Sequence, residues 1–454
     1  MAEPAGSSSA WQALVEGWAR PTRWSATAAH LRASVIALLL VLAAVLFGRP
    51  DALVLAAPLA AIAAWSTVRR PQEVPEIDAH LAHRTLREGE ATRWQATVSP
   101  SPGLEAIVVR LATTDWWQLD PPSGIVSLDT SGVGGAAAVS IDVRSVLWGT
   151  RPVAPALVAL HGPWGAFRVG PERLEDLVLT TLPLPAVFDT SAPVPSPAGL
   201  IGLHRSRRRG DGTEFAIVRP FTTGDRLRRI NWPVTLRTGN LHVSATYTDS
   251  DTNVLLVLDA TIDAGISEGI DGAASSLDRA VRGAGAIADH FLRHGDGVAL
   301  RTFGATQPVR IPVGTGTSHL RRVLDELARV EPGVLSGRRA GRAQELARLG
   351  FMSGGLVIVL SPLLSAPALE EAVALVRHGF VVLVVDTLPE ALPSEPDDPA
   401  LGLAWRVRLM ERARDVRLLQ EVGVPIVPWR GPGTLDQVLH DLGRRAAAPR
   451  LVRR

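Results

Sequence analysis

The sequence predicts a multidomain chain in three parts: an N-terminal transmembrane helical hairpin, an antiparallel β domain, and a C-terminal α/β doubly wound domain. Three observations carry this reading. Two apolar runs near the start are separated only by "GRPD", short alternating runs broken by Pro and Gly fill the middle, and strand-like and helix-like runs alternate after residue 251. A chain of 454 residues has room for two or three such domains.

The hairpin occupies residues 33–68. "ASVIALLLVLAAVLF" and "ALVLAAPLAAIAAW" are each shorter than the roughly 20 residues a spanning helix needs, and snorkelling by Arg32 and Arg69 lengthens them. A cleaved signal peptide fits poorly, because some 30 residues precede the first run and a second follows at once. Arg20, Arg23 and Arg32 precede the hairpin and Arg69 and Arg70 follow it, with only Arg49 in the turn. This asymmetry places both termini and the soluble domains in the cytoplasm, on a two-pass anchor in the inner membrane. In the segment 1–32, Trp11, Leu14, Val15 and Trp18 fall at i, i+3, i+4 and i+7. That spacing suits a short helix on the membrane surface, and the same residues suit a disordered tail equally well.

Residues 72–190 read as the β domain. "ATRWQATVSP", "LEAIVVRLAT", "AAAVSIDVRS" and "PALVALHG" are its strands, and turns fall at Gly89, 100–103, 121–124 and 132–135. "GPWGAFRVGP" adds a hairpin-like stretch. Residues 191–250 form a linker and a distinctive motif. The linker's "RSRRRG" reads first as a solvated loop and second as a contact for anionic lipid or an acidic partner. Nucleic acid comes last, since no aromatics are interleaved with the arginines.

From 251 to 454 the alternation is regular. "NVLLVLDA", "GVALRTFG", "GGLVIVLSP", "FVVLVVDT" and "PIVPW" are the strands. The helices between them centre on residues 275–295, 317–330, 368–379 and 403–423, with "LDQVLHDLGRR" after the last strand. Ligands of such sheets bind at the carboxyl ends of strands, an edge expected to carry "DATID", "GTGTS" and "LSPLL".

Composition removes whole reaction classes. Without cysteine there is no thiolate nucleophile, Cys-zinc site or iron–sulfur cluster. Without lysine there is no Walker A loop and no Schiff base, so this chain is not expected to hydrolyse ATP. His80 and His83 read as exposed strand or loop residues. The net charge of +2 gives no general attraction to nucleic acid.

The stretch "EFAIVRPFTTGDRLRRINW" interleaves arginines with a tryptophan. Asp225 is placed to cap a short helix carrying Arg228 and Arg229, which Pro233 would end. Glu214 and Asp225 can pair with Arg219, Arg228 or Arg237, with Trp232 covering the cluster. This gives a structural clasp or a docking surface.

Asp259 and Thr261 at the end of a buried strand, the loop 314–318 and Ser361 at the end of a later strand resemble a von Willebrand factor A domain. Taken with Gly212, Glu214, Phe215, Arg219, Gly224, Asp225, Arg228, Ile230, Trp232, Arg237, Gly239 and Leu241, the chain resembles the bacterial domain-of-unknown-function 58 family. The family usually has an acid and a tyrosine where Pro220 and Phe221 stand, and Asp where Asn231 stands. The metal motif is also degenerate, because Asp263 replaces a serine and Ser361-Pro362 lacks an acid. The resemblance implies a non-catalytic, membrane-anchored assembly factor, chaperone-like, that partners a MoxR-type AAA+ ATPase and other membrane or envelope proteins. No cofactor is certain. A weak Mg²⁺ site would draw on Asp259, Thr261, Asp263 and Thr317, although carboxylates capping backbone amides are the stronger reading. The alternatives are an enzyme binding an anionic substrate at Asp225, Arg228 and Arg237, and an ATPase-independent envelope scaffold.

Overall fold

A computed structural model describes residues 23–131, 135–153, 155–185, 209–221, 230–247, 253–333, 355–390 and 399–429. The chain divides into two compact units, Met1–Leu182 with Glu268–Asp271, and Pro183–Ser267 with Gly272–Arg454.

The first unit opens with strand β1 (Ser25–Ala26), helix α1 (Ala28–Phe47) and helix α2 (Asp51–Val68). Helix α1 begins five residues earlier than the apolar run, because Thr27 caps it by accepting from His30 N at 3.3 Å. Gly48, in the left-handed conformation, ends it. Twenty residues rise about 30 Å, the thickness of a hydrocarbon core. Both helices are long and apolar enough to cross a membrane, and Leu38, Val45, Val54 and Leu55 point outward, exposed.

Of the residues before the hairpin, those from residue 23 onward pack into the β unit. Trp24 is buried in the β core, and β1 pairs with Phe167 and Arg168. Thr27 alone joins this strand to α1, and it donates its N–H to Ala166 O and its hydroxyl to Gly165 O. On the other side of the hairpin, Arg70 donates to Trp24 O at 2.9 Å and lies over the Phe167 ring.

The β strands that follow are β2 (Ile77–Leu81), β3 (Thr85–Arg87), β4 (Ala91–Val98), β5 (Ala106–Leu111), β6 (Trp117–Asp120), β7 (Ile125–Asp129), β8 (Ala137–Ser145), β9 (Gly149–Pro152), β10 (Ala156–His161), β11 (Phe167–Arg173) and β12 (Val178–Leu182). They form sheets ordered β1-β11-β10-β5-β7, β2-β4-β8-β6 and β3-β12-β9. The alternation behind the sequence reading holds: Thr92, Trp94, Ala96 and Val98 of β4 are buried in turn, and Trp94 faces Ile141 across the ladder. The domain is not wholly antiparallel, since β12 runs parallel to β3. Both strands are short, and a three-residue strand gives no readable period.

In the second unit, β13 (Arg209–Pro220) and β14 (His242–Tyr247) form an antiparallel ribbon flanking helix α3 (Trp232–Thr238). Then come β15 (Asn253–Asp259), α4 (Ser276–Arg293), β16 (Gly297–Phe303), β17 (Arg310–Gly314), α5 (Thr317–Leu327), β18 (Leu356–Ser361), α6 (Ala366–Arg377), β19 (Val381–Asp386), α7 (Pro399–Glu421) and β20 (Ile426–Pro428). The sheet order is β17-β16-β15-β18-β19-β20. All neighbours are parallel except β17, which returns antiparallel on β16. Val257, Val359 and Val384 pack with Ala368, Ala372 and Leu375 of α6 on one face. Helix α4 packs on the other, with Gly283 against Leu360. The expected doubly wound architecture is therefore present, with one antiparallel edge strand added.

One feature of this core is ionic. Arg301, mid-strand in β16, and Glu371 of α6 are both buried and directly hydrogen-bonded to each other. Removing one partner strands a desolvated charge, whereas replacing both by apolar residues removes the cost. Glu371→Ala is expected to destabilise the full chain by about 3–5 kcal/mol in thermal or urea unfolding, and Arg301→Met with Glu371→Leu to recover most of that loss.

Candidate functional site

The carboxyl edge of the α/β sheet is where chemistry belongs if this unit has any. From β15 the chain winds to β16 and β17 on one side, and from β18 to β19 and β20 on the other. The switch point, the usual ligand crevice of such sheets, thus lies between the ends of β15 and β18. Those ends carry Asp259 and Ser361.

Asp259 is 2% exposed. One carboxylate oxygen accepts from the Thr261 N–H at 2.9 Å and the other from the Ser361 hydroxyl at 2.6 Å. Ser361 Oγ in turn accepts from Leu363 N at 2.9 Å. Burial pushes the Asp259 carboxyl above its ordinary range, and the bonds from Ser361 and Thr261 only partly oppose this. Leu363 is buried with a φ of 52°, a strained conformation for a bulky residue.

Helix α7 closes the loop after β18. Arg408 donates from Nε and Nη2 to Leu364 O, at 2.9 and 2.6 Å. Arg412 donates from Nε to Pro362 O at 2.7 Å and from Nη2 to Asp386 at the end of β19. Asp386 also accepts from Leu388 N at 3.1 Å. Gly304, at the end of β16 with a φ of 71°, lies so close to Thr261 that a Cβ would stand 2.3 Å from its hydroxyl. The Thr387 hydroxyl, fully buried, has no hydrogen-bond partner among the described residues.

The N-terminus of α4 is equally occupied. Ser275 caps it reciprocally with Asp278. Ser276 N donates to Ala264 O at 2.8 Å, and Leu277 N to Asp263 Oδ1 at 3.0 Å. With the first-turn N–H groups taken, this end has no donors left to cradle a phosphate.

These placements correct the expected ligand set. Asp263 serves the start of α4, where it also accepts from the Ser276 hydroxyl at 3.2 Å. Thr317 lies at the other end of the sheet. Because β17 returns antiparallel, Gly314 pairs with Val298, about 17 Å along the strand from Phe303, which pairs with Asp259. Asp259 and Thr261 remain together, joined by the bond from Thr261 N. Among the described residues no group of three or more His, Asp or Glu side chains forms a candidate metal cluster. The four residues named from the sequence therefore do not make the oxygen shell that Mg²⁺ requires. Arg408 and Arg412, which bind this edge together, carried no signal in sequence, because a helix rich in arginine reads as a solvated one.

The second candidate is the arginine-rich motif. Glu214, Phe215 and Arg219 lie on β13, while Gly224, Asp225 and Arg228 fall outside the described residues. The helix expected to run from Asp225 through Arg228 and Arg229 lies outside the described residues; the helix described here is α3. It starts at Trp232, so Pro233 opens the helix and does not end it. Its cap is Asn231, whose side chain accepts from Val234 N at 3.3 Å and donates to Ser244 Oγ at 3.1 Å. Asp and Asn serve equally at that position, so no acidic partner for an arginine has been lost. Trp232 is 59% exposed, and Leu236 one turn on is 80% exposed. Gly239, with a φ of 73°, ends the helix, and Arg237 stands in its last turn.

Residues 217–413 match the family described as protein of unknown function DUF58. Uncharacterized proteins of Mycobacterium tuberculosis and Mycobacterium bovis are 29% identical over 259 residues, covering 51% of this chain and 78% of theirs. The cupredoxin domain of amoB from Nitrosocaldus yellowstonii covers 24% of this chain at 12% identity, with a TM-score of 0.16, too slight a likeness to bear on the fold. The DUF58 match runs from within β13 to within α7, so it takes in the carboxyl edge of the sheet and the arginine-rich motif from Arg219 onward, but not Glu214 and Phe215.

The raised Asp259 pKa fixes a sign. The folded chain holds this proton to higher pH than the unfolded chain, so the stability it contributes is complete below the ordinary carboxylate value, near 3.9, and is lost as pH rises through the higher folded value. Asp259→Asn removes that loss. Its melting temperature relative to the parent is expected to rise between pH 4 and pH 7.5, measured on the full chain in detergent.

Proposed function

We propose that this protein is a non-catalytic, membrane-anchored assembly factor whose DUF58 segment docks onto a MoxR-type AAA+ ATPase. The observation that carries the non-catalytic reading is that the charged groups of the carboxyl edge are taken up by the fold, even though the Thr387 hydroxyl is left without a partner among the described residues. Asp259, Ser361, Asp386, Arg408 and Arg412 bond to one another or to the backbone, and no lysine or cysteine exists to add a nucleophile. A von Willebrand factor A-like identity for the α/β unit is part of the proposal, supported by the doubly wound sheet and by Asp259, Thr261 and Ser361 at its switch point. In this reading the edge gives rigidity, the unit works through its faces, and the ATPase supplies the hydrolysis. Helices α1 and α2 supply the anchor, two-pass in the inner membrane with the soluble units in the cytoplasm, which the arginines at 23, 32, 69 and 70 support.

Between clasp and docking surface, the exposure of Trp232 and Leu236 favours docking. They stand one turn apart on α3, and exposed aromatics are the residue type that anchors interfaces. The test is native co-purification with quantitative mass spectrometry under nucleotide-loaded conditions, parent against Trp232→Ala/Leu236→Ala. A stoichiometric AAA+ ATPase with the parent, lost in the variant, is expected. Because both side chains are exposed, unfolding stability should shift by no more than about 0.5 kcal/mol. Failure to recover any ATPase would end this reading in favour of an envelope scaffold.

A further inference from the structure

Beside the base of the hairpin, one residue breaks two local rules at once. Trp164 sits in the short 3₁₀ turn Pro163–Gly165 between β10 and β11. Its φ of 55° and ψ of 24° are left-handed, a conformation that suits Gly or Asn and strains a bulky side chain. Its ring is 68% exposed, so burial within the protein does not offset that strain. The backbone is nevertheless firmly held: Trp164 N donates to Glu105 Oε2 at 2.7 Å, Gly165 N to Gly162 O, and Ala166 N to Pro163 O.

The same turn is bonded to the hairpin. Thr27, the cap of α1, donates to Gly165 O and Ala166 O, and the turn packs against α2. Gly162 lies against Pro71, three residues past the end of α2. Trp164 is therefore fixed at the level where α1 begins and α2 ends. With α1 about as long as a hydrocarbon core is thick, that level coincides with the headgroup region of a membrane the hairpin crosses. Trp65, about half exposed near the end of α2, has the Arg69 guanidinium 4.7 Å from its ring centre. Tryptophan and arginine are the residues that populate such a boundary.

We infer that Trp164 is a membrane-interface anchor, with the rigid turn presenting its ring to the lipid headgroup layer and setting how the β unit stands on the bilayer. The inference rests on the membrane reading of α1 and α2. It goes further by giving the β unit its own lipid contact, outside the spanning helices. The headgroup region takes the apolar body of an indole out of water while still leaving its N–H a hydrogen-bond partner, whereas an exposed ring in water satisfies only the N–H.

Because the chain contains no cysteine, one introduced cysteine is a unique labelling site. The full chain would be spin-labelled at Trp164→Cys, Leu39→Cys in mid-α1, or exposed Ser127→Cys on β7, in nanodiscs of phosphatidylcholine and phosphatidylglycerol. Accessibility to oxygen and to a water-soluble nickel complex gives each label's depth. The expected result is Leu39 deep, Ser127 aqueous and Trp164 between them, at headgroup level. A deep Leu39 label with Trp164 as aqueous as Ser127 overturns the inference and leaves the hairpin standing. An aqueous Leu39 label overturns both. Trp164→Gly separates an anchor from a packing residue. An anchor's loss should leave the melting temperature in detergent unchanged or raised, since glycine relieves the left-handed strain, and a lowered value would sink the proposal.

Discussion

A carboxylate at the end of a central strand, almost cut off from water, sets the terms for the α/β unit. Asp259 must receive hydrogen bonds from its own fold. It takes them from the Thr261 backbone and the Ser361 hydroxyl. Ser361 is then committed in two directions, because its oxygen also fixes Leu363. The loop that follows exposes carbonyls inward, and Arg408 and Arg412 of α7 satisfy them. Arginine suits the task, since one guanidinium spans a carbonyl and a carboxylate with its fixed fork. The edge where doubly wound sheets usually hold ligands is thereby turned into structural support.

Much of this architecture could be read from residue order. Buried strands such as "NVLLVLD" and "LVIVLS" are continuous apolar runs, and each is followed by a helical period. The alternation of β4, β5, β8 and β10 was equally plain. What escaped had physical reasons. Strand β17 is five residues with a central proline, so it carries too little period to be recognised. Missing it placed Thr317 on the wrong edge of the sheet, since a hairpin return reverses which end the next loop occupies. The helix expected after Asp225 lies outside the described residues, and α3, capped by Asn231, is a further helix that the sequence reading did not name. Arg301 and Glu371, 70 residues apart in sequence, meet only once α6 has packed on the sheet, against β18 and β19.

The DUF58 match covers the end of β13, β14, the short helix and most of the α/β sheet, and none of the hairpin or the strands of the β unit. In the matched segment several positions are fixed by backbone geometry: Asn231 as a cap and Gly239 as a left-handed stop. In the β unit, the core is set by alternation and volume, which many sequences satisfy equally.

The connection through Thr27 has a mechanical consequence. A membrane anchor joined to its cargo by a long polar linker lets the two turn independently. Here a single residue separates β1 from α1, and both its backbone and its side chain are bonded to the neighbouring turn. The return path is braced as well, by Arg70 on Trp24 O and by the Trp24 indole N–H on Glu73 O. Hairpin and sheet therefore behave as a lever with its fulcrum at Thr27. Any tilt of the helices is passed to the β unit as rotation.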